Sequence, residues 1–200
     1  MAITFQYNKT SLQQLERELK IRLQALPTLA AKETALRLEV HKAKQQVLML
    51  EEQLRVKIDE AGKLARLWYE MPQDMVRVAE VVLRTEKIAG VAVSRVASVV
   101  YAVRPYSLFS MPAWIPEGIE IMKGLIELRI RLGLARRAVT ILENARRKTT
   151  QKVNLYEKVQ IPAYQDAMLK IKRFLEDEEN LAKSSQKILK ARLARGALAA

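Results

Sequence analysis

Apolar residues recur along this chain at steps of three and four, the spacing that puts them on one stripe of a helix. A first arm runs from about Thr10 to Tyr69 and opens with Leu12, Leu15, Leu19, Leu23 and Leu26. From Leu36 the spacing becomes a heptad seam through Val40, Ala43, Val47, Leu50 and Leu54. A step of four then leads to Ile58, which reads as a stutter that locally unwinds the supercoil, before Ala61, Ala65 and Trp68. A second arm runs from about Glu117 to Arg195. Its seam reads Ile121, Leu125, Leu128, Leu132, Ala135, Val139 and Leu142, then turns more polar. It resumes at Val153 and Tyr156 and continues through Ala163, Ala167, Ile171, Phe174, Leu181, Ser185 and Ile188. Pro116 precedes this arm, as helix starts prefer.

Two seams of this length must be covered, and the shortest connection lets each arm cover the other in antiparallel fashion. The expected fold is therefore all-α dominated: a long antiparallel two-helix coiled-coil hairpin with a small helix/β-hairpin insert at the turn end. Residues 1–69 form the first arm, 70–116 the insert and 117–200 the second arm with a basic tip. The residues expected to meet along the seam are Leu36, Val40, Val47, Leu54, Leu125, Leu132, Val139, Ile171 and Phe174. The arms would be roughly 90 Å and 120 Å long at the helical rise. If Tyr69 and Glu117 lie level, paired residue numbers add to about 186. Pro27 then falls near Pro162, and two prolines at one level suggest a shared bend. By the same register Arg146 falls on the seam near Glu39.

The insert has a different texture. Pro72 to Asp74 opens what reads as a short amphipathic helix carrying Val78, Val82 and Leu83. Gly90 breaks it, and the Val-rich run to Val103 reads as one or two short strands. Pro105, Pro112 and Pro116 punctuate the return, with Tyr106, Phe109 and Trp114 between them.

Composition agrees with long helices: six Gly, six Pro and 6% aromatic residues in a chain of 200. The absence of cysteine excludes a disulfide framework and thiolate metal sites, and fits the cytosol. No secretory signal is visible at the N-terminus, and the apolar run from Ile88 to Val103, interrupted by Arg95, is shorter than the roughly 20 residues a spanning helix needs. No glycine loop of the phosphate-cradling kind occurs, and His41 is the only histidine. No catalytic, cofactor-binding or metal-binding residue is expected. The acidic cluster Glu176 to Glu179 lies on a helix face without a cleft to shift its pKa values.

Net charge is +13, which favours acidic partners. The basic runs Arg136-Arg137 and Arg146-Arg147-Lys148 come without an aromatic platform, so nucleic-acid binding is the weaker reading. The register leaves the end of the second arm unpartnered. Lys183, Lys187, Lys190, Arg192 and Arg195 lie there, with no acid among them.

Three stretches point to one family. They are the opening arm Asn8-Lys9-Thr10 to Leu38, the internal Lys87-Ile-Ala-Gly90-Val-Ala-Val, and the late block from Lys152-Val-Asn-Leu155 through Val159-Gln-Ile-Pro162 to Arg173. Together they make the chain resemble the D subunits of V/A-type rotary ATPases, over essentially its whole length. The return Val103 to Pro116 departs from the family pattern. The resemblance implies a non-catalytic central-stalk rotor that transmits torque between the A and B subunits of a catalytic hexamer and the membrane rotor ring. The ion would be proton or sodium, and the reaction ATP synthesis or hydrolysis. It implies partners: the A/B hexamer around the basic tip, the F subunit on the side, and a funnel-like subunit under the turn end. It also implies a cytoplasmic place at the membrane without insertion into it, and no cofactor. The alternative is a coiled-coil scaffold or a basic nucleic-acid-binding rod.

Overall fold

The computed structural model describes the backbone of residues 4–197 and the side chains of residues 4–192. In chain order the elements are α1 (Lys9–Gly62), α2 (Ala65–Trp68), β1 (Val76–Ile88), β2 (Val91–Val103), α3 (Ile115–Asn154), a π-helical stretch (Leu155–Gln160) and α4 (Ile161–Ala197). The expected class holds: a helical hairpin with a small β insert. The chain divides into two compact units, Met1–Ala31 with Thr149–Ala200, and Lys32–Lys148.

In the first of these units, Asn8 caps α1. Its side-chain oxygen accepts the Ser11 backbone N–H at 2.7 Å, satisfying one donor of the first turn. Leu15, Ala167 and Ile171 are buried together, and Phe5, Leu12, Tyr164, Met168 and Leu175 pack around them. The π-helical stretch has a local cause. Pro162 has no N–H, and its ring crowds the carbonyl four residues back. The helix widens just before it, and the Ile161 N–H reaches back to the Tyr156 carbonyl, five residues away. Pro27 lies inside α1.

In the second unit, β1 and β2 form an antiparallel hairpin whose pairing runs from Val76↔Val103 to Ile88↔Val91. Val78, Val82 and Leu83 thus lie on a strand, not on the short amphipathic helix their spacing suggests. The run is Val-rich, and a partner strand of matching length follows at once across a two-residue turn, so β pairing outweighs the modest helix propensity. The turn needs positive φ at both central residues, 49° at Ala89 and 78° at Gly90. Glycine adopts this freely; alanine does so at a cost of about 1–2 kcal/mol. Two register shifts, at Val78/Glu80 and Val82/Leu83, re-aim the strands.

The hairpin lies along the helix pair. Val93 of β2 is buried with Leu36 and Val40 of α1 and Leu142 of α3. Ala43, Ala138 and Ala145 pack around this cluster with Ile88, Ala89 and Val91. Alanine on the helices leaves room for the strands to come close. Tyr101 ties the hairpin to α3 by donating its hydroxyl to the Lys123 carbonyl at 3.0 Å. Burial, with Glu127 adding, pushes the Tyr101 phenol up from its ordinary value, so it stays protonated and donating.

Replacing Ala89 with Gly is expected to stabilise the protein by about 1 kcal/mol, read as a higher urea midpoint, because the left-handed conformation no longer crowds a Cβ. Leu142→Ala is expected to destabilise by about 2–5 kcal/mol, since Leu142 is fully enclosed. Leu48→Ala, at an exposed site, is expected to shift stability by under about 0.5 kcal/mol in the same titration.

Candidate subunit-interaction surfaces

The seam residues divide between the two units. In the Lys32–Lys148 unit, Leu36, Val40, Leu54 and Leu132 are buried, whereas Val47, Leu125 and Val139 are half-buried. The anticipated stutter is absent. Ile58 is 51% exposed. The neighbouring Lys57 reaches toward α3 instead, where a Cβ on Gly124 would stand 3.2 Å from its Nζ. The path Leu54, Lys57, Ala61 keeps the heptad step, with buried Leu54 and Ala61 on either side of an exposed lysine. Ion pairs cross between the helices from Lys44 to Glu143 at 2.6 Å and from Arg136 to Glu51 at 2.7 Å. Glu39 is held by Lys42 at 2.8 Å on its own helix. His41 is exposed and lies 3.0 Å from the Gln45 amide.

In the other unit Ile171 is fully buried, but Phe174 is 44% exposed. Leu175, one residue further, packs against the cluster in its place. The Phe174 ring is drawn outward to Tyr7, with ring centres 5.0 Å apart, and Tyr7 in turn meets Phe5 edge-on at 5.4 Å. An N-terminal aromatic segment that no heptad reading includes thus decides which of two neighbouring residues faces in. Arg22 donates to the Gln160 side chain at 2.8 Å and stacks on Tyr164 at 4.5 Å, and Lys172 lies 3.8 Å from Glu16. These pairs, and those of the other unit, keep the predicted antiparallel register to within about one helical turn.

Every described side chain from Glu176 to Arg192 is exposed, as a helix without a partner requires. Lys183, Lys187, Lys190 and Arg192 fall here, while the Arg195 side chain lies outside the described residues. Lys183 pairs with Glu179 at 2.9 Å, and its hydrogen bond draws the Glu179 carboxyl below its ordinary value. Leu181, Ile188 and Leu189 are exposed on the same stretch.

At the turn end, Met75, Ile115 and Ile119 are buried together. Trp68 and Trp114 meet edge-on with ring centres 5.4 Å apart. Trp68 donates to the Ala61 carbonyl at 2.8 Å and Trp114 to Glu70 at 3.2 Å. Gly118 makes room for this pair: a Cβ there would stand 2.5 Å from the Trp114 ring. Sequence periodicity missed these contacts because they join residues on different elements. Among the described residues no cluster of His, Cys, Asp and Glu suits a metal ion, and no helix is long and apolar enough to cross a membrane.

A helix pair with a strand hairpin laid on it, and a basic helix end whose described side chains are all exposed, define a coiled-coil hairpin protein. The comparisons with known proteins place it more closely. The model of the family described as the ATP synthase D subunit matches residues 11–191. The V-type ATP synthase D subunit of Borreliella burgdorferi is 31% identical over 187 residues, covering 92% of this chain and 93% of that one. The D subunit of the same name from Chlamydia pneumoniae is 28% identical over 98% of each chain, and that of Chlamydia muridarum 27% identical over 96% of this chain and 98% of its own. The chain belongs to the ATP synthase D-subunit family, and is thus one component of a rotary ATPase complex.

The cross-helix pair at Glu143 makes a pH prediction. The hydrogen bond from Lys44 holds the Glu143 carboxyl below its ordinary value, and Arg146 and Arg147 add to this. A carboxyl depressed by folding contributes stability above its unfolded value and loses it as pH falls through the folded value. Urea titrations from neutral pH down to about pH 3 are expected to show a smaller acid loss in Glu143→Gln than in the parent. The difference should stay under about 1 kcal/mol because the pair is open to solvent.

Proposed function

We propose that this chain is the central rotor shaft of a V/A-type rotary ATPase. It transmits torque between an A/B catalytic hexamer and the membrane rotor ring without itself carrying out catalysis. The observation that carries this reading, beside family membership, is the helix end from Leu181 to Arg192, which follows the acidic cluster Glu176 to Glu179. It exposes Leu181, Ile188 and Leu189 among Lys183, Lys187, Lys190 and Arg192. An apolar stripe with surrounding cations, exposed among the described residues, suits the inside of an acidic, ring-shaped assembly. The F subunit is the partner for the side of the helix pair, and a funnel-like subunit seats the turn end. The protein works on the cytoplasmic side, peripheral to the membrane.

Coupling on this reading is mechanical. Each orientation of an asymmetric shaft makes different contacts with the three catalytic sites around it. A site's conformation shifts by as much as those contacts differ in free energy. Residues from Lys183 to Ala200 are the ones to contact the hexamer.

Deleting Lys183 to Ala200 is expected to lower ATP hydrolysis or ion-pumping efficiency in the reconstituted complex several-fold. Helicity per residue and the affinity for the F subunit should be unchanged. Unaltered activity and coupling would remove the end from the mechanism. A purified full chain with no affinity for F or the A/B hexamer, but with a steep salt-dependent affinity for DNA, would overturn the shaft altogether.

A further inference from the structure

The face of the strand hairpin that lies toward the helices carries two arginines in register. Residues two apart on a strand share a face. Val93 of β2 is buried against α1 and α3, so Arg95 lies on the same face. Ile88 of β1 packs at that cluster, so Arg84, four residues back, lies there too. The pairing sets Arg84 directly opposite Arg95. Like charges in directly opposed positions cost stability. A guard against edge-to-edge pairing needs one inward charge, not two in register.

Between the hairpin, α1 and α3 lies a cavity of about 560 Å³, a size ordinary for small-molecule sites. Its floor is apolar, formed by Ala43 of α1, Ala138 and Leu142 of α3 and Val93 of β2. Its rim is basic. Lys42 from α1 and Arg131 from α3 join Arg84 and Arg95, so each of the surrounding elements contributes a cation. Three of these have an acid close by: Lys42 lies 2.8 Å from Glu39, Arg95 2.8 Å from Glu86 and Arg131 2.5 Å from Glu127. Among the described residues Arg84 has no ion pair. The rim is left with one uncompensated positive charge, and it sits on Arg84.

We propose that this cavity binds a small amphipathic anion, a carboxylate or phosphate monoester with an apolar tail. Its head lies between Arg84 and Arg95, and its tail lies on the apolar floor. Guanidinium forks match the paired oxygens of carboxylate and phosphate. One anion between two arginines in register turns their repulsion into a shared contact. Small residues on the floor, Ala43 and Ala138, leave the depth that a tail fills. Such a site asks nothing of the shaft reading, and neither stands or falls with the other.

The test titrates the full-length chain by calorimetry with octanoate and with octyl phosphate, below the concentrations at which either forms micelles. Octanol and octylammonium serve as neutral and cationic probes, and acetate and inorganic phosphate as heads without tails. One or both of the tailed acids are expected to bind at a single site per chain, more tightly than the other four probes; which of the two binds better tells the head. Arg84→Gln is expected to weaken this binding about 10-fold. Arg84→Lys, which keeps the charge without the fork, should restore it in part. Arg77→Gln removes the same charge at the opposite end of β1 from the turn and should leave binding intact. The melting temperature of Arg84→Gln without any probe should hold or rise, since a repulsion is lost; if that variant does not fold, Arg131→Gln takes its place with the same expected weakening. Failure of both tailed acids to bind at millimolar concentration overturns the site. So does equal binding of octanol or acetate, or an equal loss in Arg77→Gln and Arg84→Gln.

Discussion

A pair of antiparallel helices hides one line of side chains and leaves the remainder of each surface wet. This narrow seam governs much of the packing seen here. The four most enclosed large side chains, Leu36, Ile115, Leu142 and Ile171, all lie where a third segment covers the pair. Strand β2 covers Leu36 and Leu142, the aromatic N-terminus packs at Ile171, and the Tyr106–Met111 return covers Ile115. Elsewhere Val47, Leu125 and Val139 reach only half burial. The core is therefore a set of separate clusters rather than one continuous interior, and each cluster depends on a segment outside the heptads.

The polar pairs across the helices play a different part. Lys44–Glu143, Arg136–Glu51 and Lys172–Glu16 are open to water, where such pairs contribute little stability. Their value is in alignment. A slip by one turn would replace these contacts with unmatched neighbours, while the apolar seam tolerates such a slip better. Arg22 adds a hydrogen bond and an aromatic stack to the same task, near the point where the π-helical stretch accommodates Pro162.

Among the described residues, exposed apolar groups recur at two places, along α4 at Leu181, Ile188 and Leu189 and at the Leu108–Phe109 tip. In a component of a larger machine these are the surfaces where burial is completed by other chains. The two differ in chemistry. The α4 end mixes its apolar residues with acids at Glu176 to Glu179 and then with cations from Lys183 to Arg192. The tip is free of cations, with Leu108 and Phe109 exposed.

Helix identity, antiparallel pairing, the register to about one turn and the unpartnered basic end were legible in the residues. A repeat of three and four specifies which face of a helix is apolar, and two such faces of similar length have one economical way to meet. A break at Gly90 was legible for a local reason, but it was read as the end of a short helix, and the strand pairing made it a turn with positive φ. Periodicity failed wherever a distant segment chose between neighbours. Valines from Val76 to Val82 suit a helix stripe or a strand, and pairing with 91–103 decided for the strand. Phe174 and Leu175 compete for one place, and Tyr7 settled it by stacking on the phenylalanine. Ile58 is exposed, and the Lys57 ammonium lies beside Gly124 of α3. Local spacing thus determined each element's own apolar face. Which third segment covers that face is a contact between residues far apart in the chain, and only the tertiary structure decides it.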